Sequence, residues 1–102
     1  MSIEYRSRWL RAPEADDVSD LAGALARFGR LLGPPQGEIV GQIELSSNDR
    51  AGESGPDITV YADAEGVLVS FHSGTRTQRD AVVRALDQVL SNCLLGPPLE
   101  ED

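Results

Sequence analysis

The segment His72-Ser73-Gly74-Thr75-Arg76-Thr77-Gln78-Arg79 holds the only histidine of the chain and its densest group of side chains able to do chemistry. It reads as a glycine-bearing turn after a strand, opening into a helix with two arginines in its first turn. Free backbone N–H groups, the positive end of the helix dipole and guanidinium groups together favour an anion. His72, Thr75, Arg76 and Arg79 are therefore the candidate anion-binding residues. A plainer account uses the same residues: Gly74 makes the turn, Thr75 caps the helix, and the arginines are solvated. Cations at a helix N-terminus oppose the dipole, so a carboxylate, internal or from a partner, should offset them. The segment lacks the G-x-x-x-x-G-K-[ST] spacing of a P-loop.

Other chemistry finds less support. One His and one Cys cannot build a tetrahedral metal site. Asn48-Asp49 near Gly52 and Glu53 departs from calcium-loop spacing. No metal and no cofactor are expected. Nucleophilic catalysis needs a nucleophile, a base and an orienting group. Cys93 falls on the apolar stripe of a predicted helix, as a buried, inert thiol would. Ser70 and Ser73 lie near His72 in sequence, which specifies no geometry. The chain is expected not to be an enzyme.

The elements that position these residues follow from period. Residues 3–10 alternate, with Ile3, Tyr5, Ser7 and Trp9 on one face, which predicts a half-buried strand ended by Pro13. Val18, Leu21, Leu25, Phe28 and Leu32 make one helical stripe over residues 16–32, with Asp16, Asp17 and Asp20 at its start and Gly33-Pro34-Pro35 as its stop. Residues 38–46 alternate again: Ile39, Gly41, Ile43 and Leu45 share one face, Glu38, Val40, Gln42 and Glu44 the other. Residues 46–56 are polar, rich in Gly and Ser, and read as a loop. Residues 57–62 and 67–72 predict a hairpin turning at Asp63-Ala64-Glu65-Gly66. Val82, Leu86, Val89 and Cys93 stripe a second helix over residues 76–95, and Thr75 with Gln78 has capping-box form.

The expected fold is α+β: a two-layer sandwich in the order β-α-β-β-β-α, with a four-stranded, mainly antiparallel sheet and two helices on one face. Residues 1–98 form the domain and 99–102 an acidic tail. The uncovered face would carry Glu4, Arg6, Arg8, Gln42, Glu44, Thr59, Tyr61, Ser70 and His72, open to solvent.

Charge gives the main functional hint. The chain of 102 residues has a formal net charge of −8, and its nine basic residues are all arginine. Glu38, Glu44, Asp49, Glu53, Asp57, Asp63 and Glu65 stand against Arg50 alone over residues 36–75. An acidic sheet repels nucleic acid and anionic lipid and attracts basic surfaces. Arg6, Arg8 and Arg11 with Tyr5 and Trp9 look like a stacking platform for RNA, but the alternation puts the rings opposite the arginines, toward the core. One cysteine, no apolar run of membrane length and no signal-peptide h-region fit a cytoplasmic protein.

The stretch from Asp57 to Asp102 contains Asp-Ile-Thr-Val-Tyr-Ala, Val-Leu-Val-Ser-Phe-His-Ser-Gly-Thr-Arg, an amphipathic helix and a Glu-Glu-Asp terminus. In these features it resembles the small acidic α/β immunity proteins of bacterial polymorphic toxin systems. The resemblance implies a cognate toxin domain, often a nuclease or deaminase, bound by acidic residues. The seven carboxylates of residues 36–75 are then the candidate partner-binding residues, the partner is a basic protein domain, and the chain is a monomer or homodimer. Two alternatives stay open: a secretion chaperone or adaptor for an effector, and a small anion-binding domain centred on residues 72–79.

Overall fold

The computed structural model describes residues 3–32, 37, 39–45, 57–92 and 96–101. Within them the chain is α+β, with elements β1 (Ile3–Arg8), α1 (Ala15–Ala26), β2 (Gly29–Leu31), β3 (Ile39–Leu45), β4 (Ile58–Ala62), β5 (Gly66–Phe71), α2 (Arg76–Asn92) and β6 (Glu100–Glu101). The strands form one six-stranded sheet in the order β2-β3-β4-β5-β1-β6, and every pairing is antiparallel.

The strand count corrects the expected four. The helical stripe of residues 16–32 overreaches: α1 ends at Ala26, and Phe28 donates its N–H to the Leu25 carbonyl at 3.0 Å as the chain turns. Residues 29–31 then pair with β3, Gly29 opposite Leu45 and Leu31 opposite Ile43. Gly29 permits this, because a Cβ there would lie 2.0 Å from the Glu44 carbonyl oxygen. The Gly33-Pro34-Pro35 stop, the loop expected at residues 46–56 and Cys93 lie outside the described residues.

The second added strand is the acidic terminus, expected to be a tail. Arg6 pairs with Glu100 and Tyr5 with Glu101. Leu99, just before, is buried, and its N–H donates to Asp87 Oδ1 at 2.7 Å. The Ser7 hydroxyl donates to the Pro97 carbonyl at 2.6 Å. Two exposed glutamates on an edge strand discourage further strand pairing.

The expected β4–β5 hairpin forms, with Ile58 opposite Phe71, Val60 opposite Val69 and Ala62 opposite Val67. In β3 an irregularity between Ile39 and Gly41 changes the faces. Ile39 now pairs with Tyr61 and is half-buried, while Val40, expected on the polar face, joins the core. A bulge of this kind reverses the side-chain alternation beyond it.

One buried cluster unites the sheet and both helices. Leu21 and Leu25 of α1 and Val82, Leu86 and Leu90 of α2 meet Ile43, Ile58, Val60, Val67, Val69 and Phe71. A Cβ on Gly41 would touch Leu25 Cδ1 at 3.2 Å, so α1 sits close on β3. Tyr5 meets Phe71 edge to face, ring centroids 5.6 Å apart. Opposite this core the register places Glu4, Arg6, Gln42, Tyr61 and Leu68. Thr59 and Ser70, expected to be solvent-open there, are buried, since they are short side chains paired with each other on central strands.

Candidate functional site

Each of the two predicted sites is only partly assembled. Of the seven carboxylates, Glu38, Asp49 and Glu53 lie outside the described residues. Asp57 is 1 % exposed and cannot present charge to a partner. Its carboxylate accepts the Leu45 N–H at 2.7 Å and the Ser73 hydroxyl, while its backbone carbonyl accepts the His72 N–H at 2.8 Å. Asp57 therefore ties the end of β3 to the end of β5. Glu44 lies 3.6 Å from the Arg30 guanidinium, its cross-strand neighbour. The register puts Glu44 near Ile58, at the opposite end of the sheet from Asp63 and Glu65.

Asp63 and Glu65 stand together on the hairpin turn. Asp63 Oδ1 accepts the N–H groups of Glu65 at 2.8 Å and Gly66 at 2.9 Å. These two bonds hold its carboxyl below the usual carboxylate range, and the Arg6 charge adds to the effect. The turn is fastened to the end of β1: Trp9 donates its backbone N–H to the Glu65 carbonyl at 3.1 Å and its indole N–H to the Asp63 carbonyl at 2.7 Å.

Sequence reasoning missed that α1 begins at this same end. Arg11, two residues after Trp9, grips Asp17 through two N–H groups at 3.0 and 3.2 Å. Asp17 in turn accepts the Glu14 N–H at 2.8 Å, closing the first turn of the helix. Exposed Glu14 and Asp16 follow along the chain from the β1 exit, to which Trp9 fastens the turn of Asp63 and Glu65, while Asp20 lines the groove between α1 and α2. The first third of the chain is neutral in total, which hid this. The pairing of Arg11 with Asp17 is likewise invisible in a composition count.

The predicted anion-binding group separates into used and unused parts. The Thr75 N–H donates to Gln78 Oε1 at 2.7 Å and the Gln78 N–H to Thr75 Oγ1 at 3.2 Å, the expected capping box. Arg76 lies 4.0 Å from Asp80, an internal carboxylate that offsets its charge. His72 and Arg79 do come together, around a depression of about 90 Å³ beside Gly74. His72 Nε2 lies 3.3 Å from Thr59 Oγ1. Arg79 Nε is buried without a hydrogen-bond partner among the described residues. Gly74 has φ +114°, which a side chain would strain.

Among the described residues no group of three or more His, Cys, Asp or Glu side chains could hold a metal ion, and no helix is long and apolar enough to cross a membrane. Compared with known protein families, with curated proteins and with solved structures, the chain finds no match in any of the three.

Proposed function

We propose that the chain is a non-enzymatic protein-binding module, most specifically an immunity protein that neutralises a basic toxin domain by docking an acidic surface on it. The feature that carries this reading is the group of exposed acids about the β1 exit: Asp63 and Glu65 on the turn that Trp9 fastens there, with Glu14 and Asp16 next along the chain, set against Arg6 and Arg8. Asp63 needs little ordering on binding, because its carboxylate is already fixed by two backbone N–H groups. Preorganised charge keeps more of its interaction energy than charge on a mobile chain. Opposite charge on the partner also speeds encounter, which suits an inhibitor that must act quickly. The net charge of −8 extends the attraction beyond the contact itself.

The reading places the partner in the same cytoplasm and makes it a basic protein rather than nucleic acid or membrane. It is tested by capture from a lysate of the encoding organism, at low and at moderate salt, alongside a double variant, Asp16→Lys with Glu65→Lys. The expected result is one basic partner, released by salt and absent with the variant. A partner retained equally by the variant contradicts docking through these acids.

A further inference from the structure

A cleft of about 480 Å³ lies beside the hairpin turn, lined by Arg6, Arg8, Trp9, Asp63, Glu65 and Leu68 among others. Its size falls within the range of small-ligand sites, about 300–1,000 Å³. The residue paired with Arg8 is Gly66, whose backbone packs directly against β1 at the floor of the cleft. A Cβ at Gly66 would lie 1.9 Å from the Ser7 carbonyl oxygen, so the position is closed to other residues.

The four charges around the cleft are not equivalent. Asp63 is engaged by the Glu65 and Gly66 N–H groups, and Arg6 already has an interaction within the protein. Arg8 and Glu65 also line the cleft, yet among the described residues neither side chain has an ion-pair or hydrogen-bond partner. Trp9 and Leu68 supply apolar wall between polar groups, and the Trp9 indole is fixed by its bond to Asp63.

We propose that this cleft binds a small zwitterion, an α-amino acid with an apolar or aromatic side chain. Its carboxylate lies on Arg8, its ammonium on Glu65, and its side chain against Trp9 and Leu68. The two ligand charges sit on one carbon, which suits receptor charges rooted on neighbouring backbone segments. A purely cationic ligand leaves Arg8 unpaired and repelled, and a purely anionic one does the same to Glu65. The inference shares Glu65 with the protein-partner reading but adds Arg8, for which that reading has no use, so Arg8→Gln tests the cleft separately from the docking surface.

Trp9 is the only tryptophan and lines the cleft, so its fluorescence is a probe of binding there. The test titrates the full chain with L-phenylalanine, with phenethylamine, which keeps only the ammonium, and with 3-phenylpropionate, which keeps only the carboxylate. The expected result is a saturable change with phenylalanine and affinities weaker by about tenfold for the other two, the loss of one charge-assisted contact. Arg8→Gln and Glu65→Gln, both at exposed positions, should each weaken phenylalanine binding by a similar factor. Backbone amide NMR shifts at Gly66 and Leu68 locate the binding. No saturable change, equal binding of phenethylamine, or unaltered affinity in both variants overturns the proposal. Equal binding of phenethylamine would instead make the cleft a receptor for basic side chains.

Discussion

Two carboxylates illustrate how position decides what an acid does here. Asp63 lies on the surface, but two backbone N–H groups and Arg6 favour its ionised form. Its folded pKa is lowered, so it contributes stability above the ordinary carboxylate range and loses it as pH falls through the folded value. Asp63→Ala should therefore be less stable than the parent at neutral pH, with the gap closing in acid. Urea unfolding at both pH values checks this. Asp87 is the opposite case: burial raises its pKa more than the Leu99 N–H lowers it. Its contribution is fully present below the ordinary carboxylate range and is lost as pH rises through the raised value. An amide oxygen can accept the same N–H without ionising. Asp87→Asn should thus be at least as stable as the parent at neutral pH, and its advantage should vanish in acid. A variant clearly weaker at neutral pH would show that the charge itself secures Leu99. Asp57 could not be distinguished from these two in the sequence. An aspartate after a Gly-Pro loop reads as surface charge, and only the convergence of Leu45 and Ser73 on its carboxylate makes it internal.

At the level of elements, what was legible is what is local. The β4–β5 hairpin, the Thr75–Gln78 capping box and the Val82–Leu86 stripe follow from neighbours a few residues apart. β2 and β6 have three and two residues, too few to show a period, and exist only because β3 and β1 offer them backbone partners. Phe28 and Leu32 prolong the stripe of α1, yet pairing with β3 overrides that helical preference from Gly29 onward. Glycines separate these cases experimentally. Gly66→Ala forces β1 and β5 apart and should cost about 2–3 kcal/mol. Gly23 lies within α1, and a Cβ added there would meet nothing within 4 Å. Gly23→Ala should stabilise by about 0.5–1 kcal/mol through helix propensity. Thermal and urea unfolding of the two variants measure both signs.

For the molecule as a whole, one core carries both layers. Leu25 and Leu86 are completely buried, on different helices, in the same cluster. Truncating either to Ala should cost about 2–5 kcal/mol, and a small loss in urea unfolding would contradict a shared core. The candidate site was legible only as a sign of charge. The β1–β5 pairing brings the acids of residues 63–65 to the β1 exit, and Glu14 and Asp16 follow that exit along the chain. Whether these acids dock on a basic partner is decided by stopped-flow association of the purified chain with the partner captured from lysate, over a range of ionic strength. Docking through these acids requires an on-rate that falls steeply with salt and drops by about tenfold or more at low salt in Asp16→Lys with Glu65→Lys. An on-rate indifferent to both salt and charge reversal would rule that docking out.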